Sequence, residues 1–185
     1  MAPAVVRIGP HCGSVVVRTG RTGVAGRAGH DLTIDVTDWT GEVRGAGDDP
    51  SGASLRVDVA LASLRVREGT GGALPLSDRD RAEIDATMRR MLAPIGTETA
   101  TFVSTSVTPS GDGGTVDGML TLRDRKAPVR LTVERLDGDR YRGAATVVQT
   151  AHGVKPYSGF LGALKVRDEV VVEFDVDLGR AEPAT

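Results

Sequence analysis

From Val170 to Leu178 the chain alternates: Val170, Val172, Phe174, Val176 and Leu178 share one parity, and Glu173, Asp175 and Asp177 fall on the other. An extended strand points successive side chains to opposite faces, so this run has one apolar and one polar face. The same period recurs in Leu32-Ile34-Val36, Leu55-Val57-Val59-Leu61, Val103-Thr105-Val107 and Val129-Leu131-Val133, and more loosely in Val15-Val17, Val116-Leu120-Leu122 and Tyr141 to Gln149. Short half-buried strands must bring their apolar faces together, and 24 glycines scattered between them supply turns. The alternation predicts an all-β fold of about eight antiparallel strands, closed into a barrel so that no edge is left exposed.

Departures from the alternation locate the corners. Leu64 and Val66 have the opposite parity to Leu55–Leu61, which predicts a bulge or bend near Ala62-Ser63. Trp39 to Arg44 is the next strand or a continuation of Leu32–Val36 across a bulge at Asp38. Hairpin connections are expected at Pro109 to Gly114, at Arg123 to Ala127 and, on the strength of Asp-Gly, at Asp137-Gly138-Asp139. One α-helix is expected at about 78–92. Ser77 is its N-cap, with Asp80 in the capping-box position, Ile84, Met88, Met91 and Leu92 lie on one face, and Pro94 and Gly96 stop it. The chain reads as an N-terminal arm (1–12), a single barrel domain (13–178) and a polar tail (179–185).

A chain of 185 residues is large enough for one core. A net charge of −2 argues against general electrostatic capture of nucleic acid or anionic membrane, and 3% aromatic residues give few platforms for stacking bases. Cys12 is the only cysteine, so no intramolecular disulfide forms. His11, His30 and His152 share no metal-ligand spacing, and no cofactor motif is present. The first residues lack an apolar signal-peptide core, and no apolar run is long enough for stable membrane insertion. The expected location is cytoplasmic. The sequence is equally compatible with a monomer and a homodimer.

Four segments resemble one family. They are Gly26-Arg27-Ala28-Gly29-His30-Asp31-Leu32-Thr33-Ile34 with Trp39-Thr40-Gly41; Asp80 to Leu92 with Phe102-Val103-Ser104; Gly118 to Arg123 with Lys126-Ala127-Pro128-Val129; and Lys155-Pro156-Tyr157-Ser158-Gly159-Phe160-Leu161-Gly162-Ala163-Leu164-Lys165-Val166. Together they resemble the YceI-like family, in order, from about Gly13 to Leu178. The resemblance implies an eight-stranded antiparallel lipocalin-like barrel that binds an isoprenoid lipid, of polyprenyl phosphate or quinone type, in a hydrophobic lumen. It also implies a binding, sequestration or transport protein rather than an enzyme.

Periodicity alone favours a packed core for the inward residues, since core is the commoner role of alternating apolar side chains; the resemblance reverses that preference. The expected lumen residues are Val17, His30, Leu32, Ile34, Val36 and Trp39 from the N-terminal strands, and Leu55, Val57 and Val59 from the next. Met88 and Leu92 come from the helix, Val172 and Phe174 from the last strand, and Tyr157, Phe160, Leu161 and Leu164 from the C-terminal loop. Small inward residues Gly118, Gly143 and Ala145 leave room. Arg18, Arg27 and Lys155 are the head-group candidates. One alternative is a small hydrolase or isomerase with His30 as acid or base, although neighbouring Asp31 points to the opposite face of a strand. Another is a stress-associated interaction protein with a filled barrel.

Overall fold

The computed structural model describes residues 5–23, 29–45, 52–159 and 164–184. Along the chain run β1 (Val5–Ile8), β2 (Gly13–Arg18), β3 (Arg21–Thr22), β4 (Asp31–Val36), β5 (Trp39–Arg44), β6 (Ser54–Ala60) and β7 (Leu64–Thr70). Helix α1 (Asp78–Leu92) follows. Then come β8 (Thr99–Ser110), β9 (Gly113–Leu122), β10 (Arg125–Arg135), β11 (Arg140–Val148), β12 (Ser158–Gly159), β13 (Leu164–Val166), β14 (Glu169–Asp177) and β15 (Glu182–Pro183).

Twelve of these strands form one curled antiparallel sheet in the order β15-β1-β5-β6-β8-β9-β10-β11-β14-β2-β4-β7, and β12-β13-β3 form a small second sheet. The count differs from the eight strands expected because two long strands turn corners. Only Thr37 and Asp38 separate β4 from β5, and a 3-10 turn at Leu61–Ser63, where the parity slips, separates β6 from β7. The corners are tied together, with Thr37 N–H donating to Ser63 O (3.4 Å) and Ala60 N–H to Asp38 O (3.1 Å). Beyond its corner each long strand changes partners: β4 pairs with β2 and β7, whereas β5 pairs with β1 and β6. Covalent continuity thus brings the sheet back on itself as a barrel. Counting each cornered strand once and setting aside the terminal β1 and β15 recovers eight staves.

The N-terminal segment expected to be an arm is a paired strand of the main sheet. Val5–Ile8 pairs with β5 on one side and with Glu182–Pro183, from the expected polar tail, on the other. A four-residue strand is too short to announce itself by alternation; long-range pairing creates it.

Helix α1 has the bounds that its caps dictate. Ser77 accepts from the Asp80 N–H while the Asp80 carboxylate accepts from the Ser77 N–H, and Arg89 and Arg90 occupy the last turn. Its apolar stripe of Ile84, Met88 and Leu92 packs on Leu61, Leu64, Val66, Ala93 and Ala100. The outer edge of β7 is satisfied there, with Val66 N–H donating to Asp85 Oδ1 at 2.8 Å. The helix therefore covers one end of the barrel, where β4 begins and β7 ends. The β8–β9 turn lies at the other.

The wall is ordered on both faces. Outside, arginines bridge to carboxylates on the same or neighbouring strands, as in Arg18–Glu173, Arg130–Asp117 and Arg140–Asp175. Inside, a cluster of Ile8, Cys12, Val15, Val36, Trp39 and Val176 and a second of Phe102, Val116, Val129, Ala145 and Val147 line opposite parts of the barrel.

Candidate functional site

The inward faces do not meet. They enclose a cavity of about 1030 Å³ that reaches from helix α1 at one end to the β8–β9 hairpin at the other. Protein interiors pack to crystal-like density with few voids larger than a water molecule, so a space of this size is not a packing fault. Its walls are branched aliphatics, with Val17, Leu32, Ile34, Val57, Val129 and Val172 among them. A nine-residue stave such as β11 is roughly 30 Å long at ~3.3 Å per residue and, tilted by about 40° as barrel strands are, covers roughly 23 Å of the barrel axis.

Two glycines keep it open. The inward position of Gly118 faces the Phe102 ring, and a Cβ there would collide with Phe102 Cζ; a Cβ on Gly143 would sit 2.5 Å from Phe174 Cζ. Each ring lies in the niche that a missing side chain leaves, flat against the wall instead of across the bore. Ala145 continues the same shallow strip.

All the sequence-predicted lumen residues that the structure describes border this cavity: Val17, His30, Leu32, Ile34, Val36, Trp39, Leu55, Val57, Val59, Met88, Leu92, Tyr157, Val172 and Phe174. Phe160, Leu161 and Arg27 lie outside the described residues, as does the side chain of Leu164, whose backbone opens β13. The head-group candidates fare differently. Arg18 is on the outer face, its Nε on Glu173 (2.7 Å) and its Nη1 on the Thr33 hydroxyl (3.0 Å), and Lys155 is exposed beside the mouth without bordering the cavity.

The polar residues are concentrated at the two ends. At the helix-covered mouth Arg21, His30, Asp80, Glu83, Gln149, Tyr157 and Lys165 border the opening. Arg21 is fixed by its N–H to Asp31 Oδ1 (2.8 Å) and its guanidinium to Gly29 O (2.6 Å). The small β12-β13-β3 sheet sets Lys165 beside it, since Lys165 pairs with Thr22 and Val166 with Arg21. Alternation missed both cations because strands of two or three residues carry no readable period. The Ser77 hydroxyl, with the Ser77 N–H, holds the Asp80 carboxyl below the usual carboxylate range. At the hairpin mouth Arg44, Asp112, Arg135 and Tyr141 border the cavity, with the Arg135 guanidinium 5.9 Å from the Tyr141 ring centroid.

His30 and Asp31 separate as strand geometry requires. The His30 ring borders the mouth with Nε2 2.8 Å from Leu74 O, a carbonyl that can only accept, so Nε2 carries the proton and clips the loop before α1. Asp31 turns away to Arg21. Midway along the bore, Trp39 is 2% exposed, and its indole N–H is buried with no acceptor among the described residues. Among the described residues no group of three or more His, Cys, Asp or Glu side chains is arranged to hold a metal ion, and no helix is long and apolar enough to cross a membrane.

Solved structures share the fold. The structure is similar to the crystal structure of Burkholderia cenocepacia BcnA, with a TM-score of 0.62 and 18% identity over 89% of this chain and 94% of that one. It is also similar to a mutant CJ YCEI protein crystallised with a monobromobimane guest, with a TM-score of 0.50 and 11% identity over 82% and 85% of the two chains. At such identities the likeness is one of fold. No curated protein matches the chain by sequence. The family model for the YceI-like domain matches residues 14–178, the whole barrel from β2 through β14, and the chain belongs to the YceI-like family.

Proposed function

We propose that the barrel binds a long, slender amphipathic isoprenoid lipid, of polyprenyl phosphate or quinone type, and sequesters or carries it without chemical change. The observation that carries this reading is the lumen: about 1030 Å³ of continuous space with aliphatic walls and with its charged residues confined to the two ends. Each ligand CH₂ transferred from water into it contributes about 0.8 kcal/mol, so affinity comes from tail length with little tail specificity. The head group is selected at a mouth. Arg21 and Lys165 at the helix-covered end suit an anionic or strongly accepting head, with Tyr157 and Gln149 as neutral partners. His30, its Nε2 proton committed to Leu74 O, acts as part of that rim and not as a general base.

The test is to purify the protein without detergent, extract it with organic solvent and identify bound lipid by mass spectrometry. A reproducible isoprenoid lipid is expected, as is saturable binding of added polyprenyl phosphate. An empty extract together with no binding of the added lipid would overturn the proposal.

A further inference from the structure

A lipid that passes between a bilayer and the lumen does so through one of the two mouths. The arc of the helix-covered mouth opposite α1 carries Arg123, Arg125 and Lys126 on the β9–β10 hairpin, Lys155 in the loop before β12, and Lys165 and Arg167 around β13. The arc is contiguous. Arg125 lies against the turn at Gly153, its carbonyl faces His152 Nδ1 at 3.4 Å, and Gln149 Nε2 donates to Arg167 O at 2.8 Å. Three acids share it: Asp124, Asp168 and Glu169. Asp168 is committed to the Thr150 hydroxyl (2.5 Å) and N–H (2.8 Å).

The ion pairing of the described residues is uneven over the molecule. Its eight ion pairs use arginines of the barrel wall, of the opposite end and of α1 (Arg81), and none uses the six cations of this arc. Large apolar side chains are exposed beside the same opening: Tyr157 at 47% on the arc and Leu74 at 77% next to His30, with Ile95 at 83% beyond the end of α1. Unpaired cations interspersed with exposed aromatic and aliphatic side chains, around the opening of an apolar bore, match the interfacial region of an anionic membrane.

We propose that this rim docks the barrel on an anionic lipid surface, placing the helix-covered mouth against the bilayer so that a lipid passes between membrane and lumen without crossing water. The inference rests on the lumen being a lipid site. A chain of net charge −2 can still approach a negative surface through this arc, where six cations face three acids, while Asp80 and Glu83 border the same opening from the α1 side.

The experiment is flotation of the purified full chain with vesicles of pure phosphatidylcholine or of phosphatidylcholine mixed with phosphatidylserine. Both lack isoprenoid, so docking is read independently of lumen loading. Two charge-matched variants are compared: Lys126→Glu/Lys155→Glu on the rim, and Arg7→Glu/Arg180→Glu near the opposite end, all four residues exposed and none bordering the cavity. Matching circular dichroism and unfolding midpoints establish that both are folded. The parent chain is expected to float with the anionic vesicles, weakly with the neutral ones, and less as salt shortens the screening length. A basic residue near an anionic surface contributes about 1 kcal/mol, so the rim variant should lose about 30-fold in partitioning while the opposite-end variant keeps it. No flotation with anionic vesicles, or equal losses in the two variants, would overturn the proposal. Flotation with an empty lumen in the extraction assay would instead keep the docking surface and remove the lipid cargo.

Discussion

Ala145→Leu separates an open lumen from a packed one. Ala145 sits inward on β11 between Leu131 of β10 and Val172 of β14, and borders the cavity. The substitution adds three carbons. In a filled barrel they meet side chains already in contact and cost about 1–3 kcal/mol through overpacking. In this barrel they project into the bore, so the unfolding free energy should stay within about 0.5 kcal/mol of the parent. Binding responds the other way. If the new side chain displaces three ligand carbons, the loss is about 2.4 kcal/mol at 0.8 kcal/mol each, or roughly 50-fold in Kd. Trp39, the only tryptophan, lies on the cavity wall and reports both quantities, in urea unfolding and in titration with polyprenyl phosphate. A variant destabilised by 1–3 kcal/mol that binds as the parent does would show that position 145 faces packed protein, and the lumen argument would fail.

Gly143→Ala should be poorly tolerated despite its small size, since the new Cβ collides with Thr132 O on the paired strand and lies 2.5 Å from Phe174 Cζ; a loss of about 2 kcal/mol or more in urea unfolding is expected, and an unchanged midpoint would refute the niche. Ser77→Ala removes the capping hydroxyl of α1 and should cost about 1 kcal/mol, with faster amide exchange confined to the first helical turn; uniform or absent acceleration would contradict it. The Arg140 fork on Asp175 (2.7 and 2.8 Å) holds that carboxyl below its usual range despite partial desolvation. A depressed carboxyl contributes stability that is complete above the unfolded value of about 3.9 and lost as pH falls through the lower folded value. Arg140→Gln should therefore reduce stability near neutrality and flatten its fall in acid. An acid limb as steep as the parent's would count against this pair.

Most of the barrel was legible because one period encodes two facts. The parity that makes Leu55–Leu61 a strand also says which side chains face in, and its slip at Ala62-Ser63 marks the corner where the Leu61–Ser63 turn falls. What the period cannot encode is the choice of partner. That Val5–Ile8 joins β5, and that Arg21 and Lys165 meet at one mouth, depends on pairing between segments far apart in the chain and too short to alternate visibly. Parity also places Arg18: with Val15 and Val17 inside, the adjacent Arg18 belongs outside, where Glu173 of the same outward parity holds it.

The hollowness itself has a sequence cause that parity alone hides. An eight-stranded barrel has just enough room for its own side chains to fill it or to hold one slender ligand, so large inward groups decide between the two. Here aromatic residues are scarce, with three phenylalanines in the chain. Of the two whose structure is described, Phe174 lies directly across from Gly143 and Phe102 diagonally from Gly118, each ring over its glycine on the neighbouring strand. Gly118 and Gly143 look like weak points in strands when read locally, because glycine lowers strand stability and packs nothing. Opposite the phenylalanines they have the reverse meaning, as wall recesses that take up the rings and leave the bore to aliphatic methyl groups. An inward glycine on one strand matched to an inward aromatic on another is thus the sequence signature of an open lumen, visible only once the register is known.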